Sequence, residues 1–303
     1  MIKPRSLKVG DKVGIVAPGR KVHLQEVEVA ERIILSWGLN VEFAPNLFND
    51  DHHYLAGTDE QRLNDFQGML DNEEINAIIC ARGGYGTTRI VDHLSFAKFQ
   101  RNPKWIVGFS DVTALHLKLF QLGIESLHGT MPILFSKQDS ASSIESLKQI
   151  LFGMGTSVKA EPNKNNKPGQ STSLVLGGNL SLVVDSLGTS TEPDLDAKIL
   201  IVEEIDEYFY KIDRMFTQLK RAGKLDRLAG LVVGHMTDLK DTEPGFGETM
   251  EEIILNKVKQ FNYPVAFNFP IGHENPNLAW SHGSVMTLSI GEHGSLLQSD
   301  ASS

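Results

Sequence analysis

Cysteine is almost absent from this chain. Cys80 is the single cysteine in 303 residues, which excludes a disulfide within one chain and any multi-cysteine metal site. It ends the apolar run Ile75-Asn76-Ala77-Ile78-Ile79, so a buried strand thiol is expected rather than a reactive one. Long apolar runs are missing too. Nothing approaches the roughly 20 residues that span a bilayer, and the charged start Met1-Ile2-Lys3-Pro4-Arg5 leads into no apolar segment of the secretory kind. A cytoplasmic protein is expected. There is no basic excess: 29 Lys and Arg face 38 Asp and Glu, a net charge of -9 without a long block of either sign. That argues against nucleic acid or an anionic membrane as partner, because phosphate binding wants clustered cations. The H-E-x-x-H zinc signature, the P-loop lysine and G-x-G-x-x-G are all lacking, and His273-Glu274 has no second close ligand, so no metal is expected.

What is present is a globular composition, 41% hydrophobic and 22% charged, in a length that suits one large or two ordinary domains. The first half alternates element types. Strands are predicted at 11–18, 41–44, 75–80 and 105–109. Helices are predicted at 23–37, at 59–70 (capped by Thr58 or Asp59, with Leu63, Phe66 and Leu70 on one face), at 88–94 and from Asp111 onward. Continuous apolar strands, each followed by a helix, argue for a parallel sheet covered on both faces. Residues 159–172 are rich in Lys, Asn, Pro, Gly and Ser, and mark a linker. Beyond it, strands are expected at 173–176, 198–203, 228–233, 265–269 and 284–290, with one long helix at 210–222. These suggest a smaller α+β or barrel-like domain, and the tail after Leu297 is expected to fray. No internal repeat is evident.

Four segments carry candidate chemistry. Phe109-Ser110-Asp111 lies where the apolar Trp105-Ile106-Val107-Gly108 meets an amphipathic run. A serine at such a strand-to-helix turn points its hydroxyl off the sheet edge at the positive end of a helix. The pattern is not G-x-S-x-G, since Val112 fills the second glycine position, and a plain helix N-cap is the competing explanation. Glu203-Glu204 end the apolar Ile199-Leu200-Ile201-Val202, where a carboxylate can orient a histidine. Alternatively they mark an exit to solvent or pair with Lys211 or Arg214. His273 sits among turn formers in Gly272-His273-Glu274-Asn275-Pro276. His128 and His235 are its rivals, and His52-His53 suit a solvated loop. Finally, Arg82-Gly83-Gly84-Tyr85-Gly86 follows a strand and lets backbone N–H groups approach a ligand. By itself it reads as an ordinary turn; beside a nucleophilic serine it supplies oxyanion donors.

Together these segments resemble the LD-carboxypeptidases, the serine peptidase family that includes the microcin C immunity peptidases. The similarity also takes in Ala17-Pro18, Gly177-Gly178-Asn179-Leu180, Tyr210-Lys211-Ile212-Asp213-Arg214-Met215, Gln218-Leu219 and Ala222-Gly223, in order from about Val13 to Ile290. The resemblance implies an N-terminal Rossmann-like parallel sheet domain (1–158), the linker, and a C-terminal barrel-like domain (173–303), with the site between them. It implies a triad in which Ser110 attacks, His273 moves the proton and Glu203 holds His273. Glu203 is the triad acid by the family pattern, with a swap to Glu204 left open. Gly84 and Asp111 would donate backbone N–H groups to the oxyanion. Arg82 and Tyr85 are substrate-binding candidates, with Arg82 either gripping the terminal carboxylate or pairing structurally. No cofactor is implied, and a homodimer is. The implied substrate is the cytoplasmic murein tetrapeptide of peptidoglycan recycling. The bond cut joins an L-centre diamino acid, diaminopimelate or lysine, to the terminal D-alanine. The chain departs from the family at Phe109, where Tyr is usual, and at Ser281, where Pro is common. Two alternatives stand beside this. One is an immunity-type peptidase acting on aminoacyl nucleotides, with Trp280 or Tyr208 as aromatic wall. The other is a non-catalytic small-molecule binding protein.

Overall fold

A computed structural model describes residues 1–299. The first half runs β1 (Lys12–Val16), α1 (Leu24–Ser36), β2 (Asn40–Phe43), α2 (Asp59–Asp71), β3 (Ile75–Cys80), β4 (Trp105–Gly108), α3 (Thr113–Gln121), β5 (Ser126–His128) and α4 (Ala141–Leu151). The second runs β6 (Ser157–Ala160), β7 (Gly169–Asn179), α5 (Leu180–Asp185), β8 (Ile199–Ile205), α6 (Phe209–Arg221), β9 (Gly230–Thr237), α7 (Met250–Val258), β10 (Val265–Ala266), β11 (Trp280–His282), β12 (Val285–Gly291) and β13 (Gly294–Ser299).

The expected α/β fold is there as two sheets. The first has the order β11-β5-β4-β3-β1-β2. Its strands β1 to β5 are parallel, and β11 adds antiparallel to β5 at the edge, Trp280 opposite His128. Central strands buried on both faces explain the unbroken apolar runs: Ile78, Ile79, Ile106 and Val107 are inaccessible. Each such side chain contributes about 1.5–3 kcal/mol on burial. Helix α2 begins where a capping box closes: Thr58 Oγ1 accepts from the Gln61 N–H at 3.2 Å, and the Thr58 N–H donates to Gln61 Oε1 at 2.8 Å. Thr58, not Asp59, is the cap. Cys80 is buried at the end of β3, and burial pushes its thiol pKa up, as expected of an inert thiol.

The second sheet has the order β10-β9-β8-β7-β12-β13-β6, parallel from β7 to β10 and antiparallel from β7 through β12 and β13 to β6. Strand β7 serves both parts. Residues 169–174 pair with β12, and 175–179 pair with β8. One antiparallel bridge, Lys167 to Val265, ties the lead-in of β7 to the far edge strand β10. The sheet therefore curls back on itself, but among the described residues no ladder closes it into a barrel.

Three expectations are corrected. The stretch 159–172 is strand at both ends, in β6 and β7, because polar side chains suit the open face of an antiparallel sheet. Residues 88–94 form two short 3₁₀ turns, Thr87–Arg89 and Val91–His93, rather than an α-helix. The Thr87 N–H, free of any internal acceptor at the first position of the turn, donates to the Asp111 carboxylate at 2.9 Å. Gln298 and Ser299 lie in β13 rather than fraying, and the rest of that tail lies outside the described residues.

Candidate active site

Ser110 stands at the exit of β4. Phe109 is extended, and Ser110 turns sharply with φ +63°, followed by one 3₁₀ turn into α3. For a residue with a Cβ that left-handed conformation costs roughly 1–2 kcal/mol. The turn closes tightly. A Cβ on Gly108 would lie 2.8 Å from Val112 Cγ2, so Val112 packs directly on the Gly108 α-carbon where a second glycine was absent from the pattern. A Cβ on Gly83 would lie 2.9 Å from Ser110 Cβ and 3.0 Å from its Oγ. The glycine loop after β3 therefore abuts the serine.

Glu203 and Glu204 sit on one strand, β8, and point to opposite faces, as neighbours in a strand must. Glu203 is fully buried, and its Oε2 accepts from His273 Nδ1 at 2.6 Å. Its Oε1 has no protein partner among the described residues. Glu204 turns the other way and accepts from Asn179 Nδ2 (2.8 Å), the Ser181 N–H (2.8 Å), Ser181 Oγ (2.5 Å) and the Ile205 N–H (3.0 Å). Burial raises its pKa, against those hydrogen bonds. Neither glutamate pairs with Lys211, which bridges to Glu207 at 2.9 Å, or with Arg214, whose guanidinium lies 5.3 Å from the Tyr210 ring centroid.

His273 lies on the loop after β10. Gly272 precedes it at φ +127°, with room only for glycine: a Cβ there would meet Glu203 Cβ at 3.0 Å and His235 Cβ at 3.2 Å. The Gly272 N–H donates to Asn277 Oδ1 at 2.9 Å, which fixes the loop from within. His273 Nε2 lies 3.1 Å from Ser110 Oγ. Because Nδ1–H donates to Glu203, the lone pair of Nε2 faces the serine hydroxyl, and the hydroxyl donates to it. Burial pulls the His273 pKa down, but the charge and hydrogen bond of Glu203 outweigh burial and leave it raised. Ser110, His273 and Glu203 are thus one hydrogen-bonded line, drawn from both sheets.

The Asp111 side chain is buried and accepts from the Thr87 N–H at 2.9 Å. Arg62, inaccessible on α2, donates to the carbonyls of Pro18 and of Gly86, the latter at 2.9 Å. Together they clamp the loop 82–87 against the serine turn. Gly84 is exposed at φ +105°, and neither its N–H nor that of Asp111 has an acceptor among the described residues. Arg82 is half-buried and donates to the Lys21 carbonyl at 3.1 Å, with no carboxylate partner among the described residues. Burial lowers its pKa, and the neighbouring Arg20 adds to the effect. Tyr85 is exposed, on the side of the loop facing Arg89. Arg20 and Tyr54, which local sequence did not single out, crowd the same loop: a Cβ on Gly84 would be 2.7 Å from Arg20 Cβ and 3.2 Å from the Tyr54 hydroxyl.

The other histidines are placed elsewhere. His52 Nδ1 caps its own turn, accepting from Tyr54 and Leu55 N–H groups at 3.0 and 2.9 Å. His235 flanks Gly272 and accepts from the Glu274 N–H at 3.3 Å. His128 lies behind Phe109, inaccessible, in a stack with Trp280 (5.1 Å between centroids), which stacks on His282 (5.5 Å), which stacks on His116 (5.5 Å). Burial keeps all three imidazoles neutral. Trp280 is therefore core and no wall for a ligand, while Tyr208 remains half-exposed beside Tyr210. Phe109 is buried on the His273 ring at 4.8 Å, where a phenol hydroxyl is not needed for packing. Among the described residues no group of three or more His, Cys, Asp or Glu side chains is arranged to hold a metal ion.

The chain matches known proteins in sequence and in fold. A model described as the LD-carboxypeptidase N-terminal domain matches residues 13–129, and one described as the LD-carboxypeptidase C-terminal domain matches residues 172–288. The chain is 32% identical over 305 residues to the probable murein peptide carboxypeptidase of Bacillus subtilis, covering 99% of this chain and 95% of that protein. The crystal structure of muramoyltetrapeptide carboxypeptidase from Oxalobacter formigenes superposes with a TM-score of 0.86 at 28% identity, over 95% of this chain and 98% of that one. The microcin C7 self immunity protein in its wild-type apo state also superposes with a TM-score of 0.86, over 99% of each chain, at 20% identity; there the likeness is one of fold.

Proposed function

This chain belongs to the LD-carboxypeptidase family and is a serine-type hydrolase, and from that premise we propose that it removes the terminal D-alanine from murein tetrapeptide. The observation that supports this most is the line from Glu203 through His273 to Ser110, at 2.6 and 3.1 Å. In the proposed reaction Ser110 Oγ attacks the carbonyl of the diamino acid while His273 Nε2 takes the hydroxyl proton. Glu203 fixes the tautomer and stabilises the imidazolium. Charge moving onto the carbonyl oxygen is met by the N–H groups of Gly84 and Asp111. Collapse breaks the amide bond, and His273 returns its proton to the amine of the departing D-alanine. Water, deprotonated by the same imidazole, then cleaves the acyl–Ser110 ester and releases the tripeptide.

Arg82 contributes positive potential behind the glycine loop, and Tyr85 stands at the loop's open side as a substrate contact. The division into domains 1–158 and 173–303, a homodimeric state and a cytoplasmic role in peptidoglycan recycling belong to the same proposal.

The test is mass-spectrometric: purified protein with murein tetrapeptide, wild type against Ser110→Ala and His273→Ala. The wild type should release one D-alanine per peptide, and each variant should lose several orders of magnitude in turnover with its melting temperature preserved. Variants within tenfold of wild type would sink the triad. A wild type inert on the peptide but active on aminoacyl nucleotides would move the substrate to the immunity-type class.

A further inference from the structure

A carboxypeptidase differs from an endopeptidase in what it does with the last carboxylate of its substrate. The protein carries a net charge of -9, so an anionic peptide end needs a local cation to approach it. Five of the ten arginines face a carboxylate: Arg5 pairs with Asp11, Arg32 with Glu28, Arg62 and Arg89 with Asp59, and Arg227 with Asp196. Arg20 is different. Among the described residues it has no carboxylate or carbonyl acceptor, and its guanidinium lies 5.1 Å from the centroid of the Tyr54 ring. A guanidinium held over a ring in this way, with no acceptor, keeps N–H groups free for a two-pronged bond to a carboxylate.

Its position matches the chemistry. The α-carbon of Gly83 faces Ser110 Oγ, and the α-carbon of the next residue, Gly84, faces Arg20 and Tyr54. One residue, about 3.8 Å of chain, separates the nucleophile's contact from that of the Arg20 stem, whose guanidinium lies over Tyr54. One residue also separates the scissile carbonyl from the carboxylate of a departing C-terminal amino acid. Arg82 is half-buried and spends one of its N–H donors on the Lys21 carbonyl, whereas Arg20 is exposed and spends none among the described residues. Glu26, the carboxylate that acts on Arg82, is occupied in accepting from the His23 N–H at 2.8 Å.

We propose that Arg20, held over Tyr54 and backed by Arg82, clamps the terminal carboxylate of the substrate and makes the enzyme an exopeptidase. This rests on the carboxypeptidase function proposed above. Two substrates test it: murein tetrapeptide ending in D-alanine, and the same peptide ending in D-alaninamide. The wild type should prefer the free acid. Arg20→Gln should lower kcat/KM on the acid by roughly 10- to 100-fold, the worth of a charge-assisted hydrogen bond, and change the amide rate by less than about threefold. Arg20→Lys should fall between. The exposed position predicts unchanged melting temperatures for both variants. Equal losses on acid and amide, or an intact preference for the acid in Arg20→Gln, overturns the clamp while leaving the carboxypeptidase function in place. A wild type that cleaves neither substrate overturns that function, and the clamp with it.

Discussion

Acid should loosen this protein through His116 in a way that can be isolated. The ring is inaccessible; its Nε2–H donates to the Gly108 carbonyl at 2.9 Å, and its Nδ1 accepts from Ser126 Oγ at 2.8 Å. Burial pushes its pKa down from 6.5 to about 4, against a smaller upward pull from Gly108. In the unfolded chain the imidazole takes up a proton as pH falls through about 6.5. The folded protein resists until about 4. The unfolded state therefore binds more protons throughout that window, and stability falls as pH falls. The stability tied to the neutral ring is full above pH 6.5, lower by about 2 kcal/mol at pH 5 and by about 3 kcal/mol at pH 4. Against a total of roughly 5–15 kcal/mol this is a large share.

His128 and His282 act in the same sense, while the buried carboxyls of Asp111 and Glu204, raised by burial, act oppositely. The readout must therefore be a difference. Urea unfolding of wild type and His116→Gln at pH 7.5 and pH 5 should show the wild type losing about 2 kcal/mol more than the variant across that interval. Glutamine keeps a donor for Gly108 but does not titrate. Equal losses in both proteins, to within about 0.5 kcal/mol, would refute a neutral buried His116 as the source of the acid lability.

Three further predictions concern the site. Glu203→Gln removes the charge that outweighs burial at His273, so the histidine pKa should drop. The acid limb of the kcat/KM profile, above pH 6.5 in the wild type, should move to lower pH while the plateau falls by orders of magnitude. Glu204→Gln should leave turnover within tenfold and instead cost about 1–3 kcal/mol of stability, since an amide cannot accept all four of its bonds; the reverse ranking in steady-state kinetics would make Glu204 the triad acid. Gly272→Ala should reduce kcat at least a hundredfold with KM little changed, because the new Cβ would displace Glu203 from 3.0 Å; wild-type kcat in that variant would mean the loop does not set His273.

Much of this was legible in sequence, but unevenly. The parallel first sheet was legible because strands buried on both faces read as apolar runs. Ser110, Glu203 and His273 each stood out by local context, yet they meet across 163 and 70 residues, and local patterns do not encode such contacts. The choice of Glu203 over Glu204 needed the strand register, which decides which face each side chain takes. Strand β11 was missed: three residues are too short to show a period, and its partner is in the other half of the chain. Residues 87–93 have helical spacing at Ile90, Val91 and Leu94 yet form 3₁₀ turns, and the bond that anchors their start, from the Thr87 N–H to Asp111, joins residues 24 apart. Arg20 has no signal in the sequence, since a lone arginine after Pro-Gly carries no pattern; only the packing of Tyr54 and Gly84 marks it.

The order in which the ribosome delivers these residues has its own consequence. Ser110 leaves the ribosome 163 residues ahead of His273. At about 5–20 residues per second, that interval is on the order of ten seconds or more. Strand β11, which covers the buried His128 from the edge of the first sheet, arrives later still. A nascent chain thus holds its serine without a base for most of its synthesis. On the proposed triad, hydrolytic competence switches on late and all at once, when the last strands dock, so a truncated translation product would be inert rather than an unregulated peptidase.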